Sequence, residues 1–340
     1  MKTKMKSRWT GSRRENRLPE ALRAFLLPLL AALSFAAEPA AAPDALSLLP
    51  VQPKPVVGPA AALGTLEELA PGVRIARGSA VVLDGVLNMD QGPVDGLEVL
   101  ACLKDGKAHE ALVKLDTTQG QLVKAACIAA LGLADGQTSD ETSGIPARGT
   151  PVTLTIRWQG TAGEVQVAAS SLVRDREVDQ PYPALPWTYT GSRFESVFQN
   201  GPDGKPQKRD VFMLDSTRSI AVNFDEPDAL IASPFPGASL DRRFEAYSAI
   251  CPPAGTRIQL VIGKADLSVD LQLAADGSLS VEGEALGTLL AGLAARQLKA
   301  VTVQVATATE RKHDVAARAR ILAAAAAAKV WLVPVFVLKP

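Results

Sequence analysis

The sequence predicts an α+β protein of two α/β-sandwich-type domains, the second ordered β-β-α-β-α-β with helices on one face of a sheet. Three observations carry this. At 340 residues the chain exceeds what one ordinary core fills. Short apolar alternations separated by Asp-Gly turns read as strands and hairpins. Stretches with apolar residues at helical spacing fall between those strands.

Residues 1–36 have the form of an export signal. A long basic region leads into Ala24–Ala36, AFLLPLLAALSFA, and Ser34 and Ala36 are the small residues that a signal peptidase needs. The apolar run contains Pro28 and is shorter than the roughly 20 residues that span a bilayer. No transmembrane helix is therefore expected in the mature chain, and an uncleaved, weakly anchored segment is the alternative. Residues 37–72 are rich in Ala and Pro (Pro39, Pro43, Pro50, Pro53, Pro55, Pro59) and read as an extended tether, with a short helix around Leu63–Leu69.

The first domain is expected over residues 73–249. Val81–Leu83 is a short strand. Gly96–Leu103 and Ala111–Leu115 flank Lys104-Asp105-Gly106-Lys107, whose Asp-Gly signals a hairpin. Thr118-x-x-Gln121 fits a capping box, after which Leu122, Ala125, Ala126, Ala129 and Leu133 recur at helical spacing. Val152, Leu154 and Ile156 alternate with polar residues, and Gly160 and Gly163 bracket a turn into Val165–Ala168, a second hairpin. Residues 181–236 read as short strands and turns heavy in Pro and Gly.

A linker at 250–257 contains Cys251-Pro252-Pro253, and the second domain occupies 258–340. Val269, Leu271 and Leu273 alternate before Asp276-Gly277, and Leu279 and Val281 alternate after it, a hairpin. Leu286, Leu289, Leu290 and Leu293 make one helical face, Val301, Val303 and Val305 a strand, His313–Ala328 a helix, and Val330–Leu338 an apolar strand.

Charge narrows the partners. The formal net charge is zero, but residues 1–36 hold eight of the 36 Lys/Arg and two of the 36 Asp/Glu. The remainder keeps 28 basic against 34 acidic residues, a formal −6. A net acidic body without a basic stripe argues against nucleic acid.

Few residues carry candidate chemistry. His109-Glu110, with Lys107 nearby, is the first place to look for ligand binding, acid–base work or a metal held by His109. The competing reading is a surface histidine beside a charged turn. HExxH fails because position 113 is Val. Asp225, Glu226 and Asp228 could ligate calcium, or could simply answer the dipole at a helix start. Arg174-Asp175-Arg176 reads as a solvated charge run. Trp158, Trp187 and Tyr189 are either a sugar-stacking surface or core, and His313 has no evident partner.

Cys102, Cys127 and Cys251 are widely spaced, with no CxxC, so neither a zinc nor an iron–sulfur framework is present. In an exported protein Cys102 and Cys127 are the pair that would oxidise; buried free thiols are the alternative. There is no GxGxxG, P-loop or GxSxG, and no cofactor is expected.

Residues 88–236 resemble the YdjY domain. The pieces that carry this are GLEVLACLKDGKAHEALVKLD (96–116), VTLTIRW (152–158), SLVRD (171–175), WTYTGSRF (187–194) and NFDEPDALIASPF (223–235). The family's biochemical role is not established. Some members are associated with ferredoxin-like cysteine clusters, whose cysteines this chain lacks. Residues 258–338 are similar to the periplasmic domain of the ExbD/TolR family, through ADGSLSVEGEALGTLLAGLAA and the run from Ala300 to Val335. That resemblance implies homodimers formed through the C-terminal domain, and contacts with envelope proteins or cell wall. The family's proton-coupling acid, carried on a transmembrane helix, has no counterpart here.

Together these readings give an exported protein of the periplasm or exterior that binds an envelope protein or cell-wall component without catalysis. A ligand- or metal-binding enzyme centred on Lys107, His109 and Glu110 is the alternative.

Overall fold

The computed structural model describes residues 57–338, less 93–94, 141–142, 183, 201, 203, 236–237, 239, 241, 266–269, 274–278, 282–283, 287–289, 291–299, 308–309 and 329–330. The expected export signal, and the tether up to residue 56, lie outside these residues. Strand makes up 43% of the structure and helix 17%.

The expected pair of α/β sandwiches is not what forms: the centre of the molecule is a closed eight-stranded β-barrel. In chain order its first five strands are β1 (Ala80–Leu87), β2 (Val99–Cys102), β3 (Ala111–Leu115), β4 (Thr150–Gly160) and β5 (Trp187–Tyr189). A hairpin outside the barrel follows, β6 (Phe194–Asn200) and β7 (Pro206–Phe212). The remaining barrel strands are β8 (Ser219–Val222), β9 (Ile231–Ala232) and β10 (Arg257–Lys264). Around the barrel the order is β1-β10-β4-β5-β9-β8-β2-β3 and back to β1. Six pairings are antiparallel; β8/β9 and β2/β3 are parallel.

Closure depends on β10, which lies between β1 and β4. Leu260 sits opposite Leu83 on one side and Ile156 on the other, and Ile262 lies between Val81 and Leu154. All six are buried in one core, with Val152 and Ile258 beside them. Alternation points these residues inward, as period-2 strands demand. The opposite face of this wall is only partly wet, since Val82 and Val261 are covered by Leu63 and Leu66. That stretch contains no helix: residues 61–66 are irregular and Glu67–Ala70 is a strand. At Gly85 a side chain would strike the Lys114 carbonyl at 2.6 Å, so glycine is what lets β3 approach β1.

The expected hairpin at Asp105-Gly106 is corrected by the pairing, because β2 and β3 run parallel. A turn at Leu103–Gly106 and a 3-10 turn at Ala108–Glu110 reverse the chain twice. Helix α1 (Gly120–Leu131) buries Val123, Ala126, Cys127, Ala130 and Leu131. Leu122 is half-buried and Ala125 and Ala129 are exposed, so the buried face is turned from the one read in the sequence. No capping box forms: Gln121 donates to Asp215 at 2.8 Å, and the cap position is Gln119. A short helix α2 (Leu214–Thr217) precedes β8.

Beyond the barrel, β11 (Asp270–Leu273), β12 (Leu279–Val281), the two-residue strand Glu284–Ala285, β13 (Ala300–Thr307) and β14 (Trp331–Leu338) form a five-stranded sheet. Helix α3 (Lys312–Ala327) packs its Ala317, Ile321 and Ala325 into the core of this sheet. The Gly149 N–H donates to the Phe336 carbonyl, and Arg148 bridges Phe336, which ties β14 to the start of β4. No described helix is long and apolar enough to cross a membrane.

Candidate functional site

The charged turn before β3 gathers a cluster that sequence order does not show. Asn88 holds the turn in place by donating to the carbonyls of Ala108 and Ala111, at 2.5 and 2.8 Å. The Lys107 ammonium lies 3.3 Å from Glu110 and 3.6 Å from Glu226. Glu226 comes from the turn after β8, where its N–H donates to the Phe224 carbonyl. Two readings made separately from the sequence, the Lys107 turn and the 225–228 acids, thus meet at one place.

The electrostatics follow from burial. Desolvation pushes the Glu226 carboxyl up despite the nearby Lys107 ammonium. Burial pulls the Lys107 ammonium down, but Glu226 and Glu110 outweigh it and its pKa is raised. His109 is 81% exposed, with its Nε2 3.7 Å from Glu110. The expected trio meets at Glu110, which lies between the Lys107 ammonium and the solvent-facing ring of His109.

The calcium reading loses two of its three ligands, Glu226 and Asp228, to cations. Glu226 is taken by Lys107, and Asp228 receives a 2.6 Å bond from Arg193. Among the described residues no group of three or more His, Cys, Asp or Glu is arranged to hold a metal. The charge run at 174–176 is not all solvated. Asp175 is fully buried and accepts from Arg243 at 2.7 Å, from the Tyr182 hydroxyl at 3.0 Å and from the Glu177 N–H at 2.8 Å. Trp187 and Tyr189 are fully buried in the barrel core, which removes them as a sugar platform.

All three cysteines are free. Cys102 and Cys127 belong to different core clusters. Burial pushes the thiols up, Cys102 to about 11 and Cys127 and Cys251 to about 12. Few thiolates form at neutral pH, so none is a ready nucleophile.

A depression of about 370 Å³ opens at the start of α1, lined by Thr118, Gln119, Gln121, Leu122, Asp215 and Arg218. Its polar groups already serve one another: Gln121 donates to Asp215, and Arg218 donates to the Thr118 carbonyl at 3.4 Å.

The β6/β7 hairpin is the feature sequence reading missed. It forms a sheet of its own, paired from Phe194↔Phe212 to Asn200↔Pro206. Its base is held by Phe212, which stacks near Phe194 at 5.1 Å and lies under the Lys124 ammonium at 5.3 Å. The strands then leave the core, with Phe194 at the base 64% and Phe198 further out 76% exposed. Both phenylalanines lie on one face; Val197 and Val211, on the other, are half-buried. The signal available was the alternation Phe194, Ser196, Phe198 beside Lys205-Pro206.

Compared with protein-family models, curated proteins and solved structures, the chain finds no match in any of the three. The resemblances to YdjY and ExbD/TolR domains rest on the residues that carry them.

Proposed function

We propose that this protein is an exported binding module of the cell envelope, and that its β6/β7 arm contacts another protein. The observation that carries this is the exposure of Phe194 and Phe198 on a two-stranded arm built outside the closed core. A ring kept in water as far as that of Phe198 contributes little to holding the fold. Such rings match what protein recognition uses, a rigid apolar anchor with few rotatable bonds. The arm's backbone edges add donors and acceptors that have no partner among the described residues and are suited to strand addition. The residues that could have served catalysis are otherwise engaged: Lys107 is held between two carboxylates, and the thiols are protonated.

The test is a Phe194→Ser/Phe198→Ser double variant in the native cell. Its stability should fall by no more than the Phe194–Phe212 ring contact contributes, about 0.5–1.5 kcal/mol, because Phe198 lies outside the core. On native separation of envelope extracts it should leave the complex in which the parent migrates. Unchanged migration of the double variant would sink the reading.

A second reading has one observation behind it, the buried Glu226 carboxyl beside Lys107. A carboxyl held toward its neutral form next to an ammonium is the kind of pair used in acid–base work. Loss of a small-molecule ligand from Glu226→Gln, with the fold intact, would support it; identical ligand content in both proteins would remove it.

A further inference from the structure

The hairpin arm has two edges, and they are unlike. The bond from the Met213 N–H to the Arg193 carbonyl, 2.9 Å, makes Arg193 and Met213 a hydrogen-bonded pair at the base of the ladder. Antiparallel pairs alternate, so Glu195, Val197 and Gln199 point their N–H and C=O groups inward to β7. Phe194, Ser196, Phe198 and Asn200 therefore point theirs outward. On β7 the outward positions are Pro206, Lys208, Asp210 and Phe212.

The β7 edge is guarded. Pro206 has no N–H to offer, and Lys208 and Arg209 place positive charge along the strand; proline and basic residues are what natural sheets use to block edge pairing. The β6 edge has neither. Over its seven residues it carries one charge, Glu195, and no proline or lysine.

We propose that β6 pairs antiparallel with β6 of a second copy of this chain, with a two-fold axis through Val197, so that two arms make a four-stranded sheet. This deepens the binding reading above and rests on it. Only a register that brings outward groups opposite outward groups forms bonds, and an axis at Val197 does so along the whole strand. Phe194 then lies opposite the partner's Asn200, and Ser196 opposite the partner's Phe198. Four such pairs give about eight hydrogen bonds. Glu195 meets the partner's Gln199, so no like charges oppose one another. The equivalent axis on β7, through Arg209, would set that arginine against its own copy.

The same register explains the aromatic face. Phe198 and the partner's Phe198 become diagonal neighbours, about 7–8 Å apart and within reach of aromatic rings. Phe194 from each chain extends that face outward. The dimer thus builds the apolar surface that the envelope partner takes, and closes the unguarded β6 edge of the arm. An isologous contact of this kind ends at two chains.

The experiment is sedimentation velocity on the full chain across the micromolar range, beside Ser196→Pro and Val197→Cys. Ser196→Pro removes an outward N–H and leaves the ladder to β7 intact. Val197→Cys puts thiols on the axis, at a closely spaced pair with Cα atoms about 4.5 Å apart, within disulfide range. The expected results are a dimeric parent, a monomeric Ser196→Pro that melts where the parent does once diluted to monomer, and a Val197→Cys that air oxidation locks at twice the chain mass. A parent that stays monomeric, a dimer that Ser196→Pro leaves intact, higher assemblies, or a Val197→Cys that does not cross-link would each overturn the proposal. A monomeric parent whose envelope complex still depends on Phe198 would refute the dimer and keep the binding reading. A dimer with no such complex would do the reverse.

Discussion

Arg148 and Asp314 meet in a buried two-bond ion pair, 2.5 Å from Nε and 2.9 Å from Nη2, that joins the segment leading into β4 to the first turn of α3. Both side chains are out of solvent, 4% and 0% exposed. Removing one partner strands the other charge in a low-dielectric site. Asp314→Ala should cost about 3–5 kcal/mol in urea unfolding, whereas the Arg148→Met/Asp314→Leu pair should cost much less than either single change. A double-variant loss equal to the sum of the two single losses would show that the pair is not coupled.

Glu226 gives a pH signature. Its folded pKa is raised above the ordinary 4.5, by burial first, so the folded chain holds this proton more tightly than the unfolded one. The stability it contributes is complete below 4.5 and is lost as pH rises through the folded value. Lys107 is also raised, from 10.5, so its contribution changes only in strong alkali and leaves the acid window clean. Thermal melts of Glu226→Gln should lack the decline that the parent shows over the acid window. Parallel curves for the two proteins would contradict the assignment.

His109 should be dispensable. It is 81% exposed, and its ring nitrogen is 3.7 Å from Glu110. His109→Ala should change stability by no more than about 0.5 kcal/mol, and metal content by nothing, as read by denaturant unfolding and elemental analysis. A metal that is retained by the parent and lost from the variant would restore the histidine as a ligand.

The thiols offer a chemical check. With Cys102 pushed up to about 11 and Cys127 and Cys251 to about 12, none should react with iodoacetamide in the folded protein at neutral pH. After unfolding without reductant all three should alkylate. Alkylation of Cys251 alone would mean that Cys102 and Cys127 had oxidised to a disulfide.

The strand elements were readable because their pattern is local. Val152, Leu154 and Ile156 alternate along β4, and the turn between Gly160 and Gly163 lies where sequence placed it. What periodicity cannot encode is which distant strand comes to lie beside it. β10 closes the barrel from beyond Pro252-Pro253, and no local signal says that Leu260 will sit between Leu83 and Ile156. The Asp105-Gly106 signal was overridden by the parallel pairing of β2 and β3, and the capping box by Asp215, which takes Gln121. At the candidate site Lys107 and Glu110 were found from the sequence, but Glu226 joins them only through the barrel, from the turn that follows β8. The Asp175 network was hidden for the same reason, since its partners Arg243 and Tyr182 come from separate segments.

The central claim is that the arm touches another protein, and cross-linking inside the cell tests it most directly. A photo-reactive residue would replace Phe198, and a control would replace Ile128, which is 44% exposed on α1. The account predicts an adduct between the arm and a different protein from position 198, beside a self-adduct where two arms pair, and none from position 128. No adduct from position 198, or the same adducts from both positions, would contradict it.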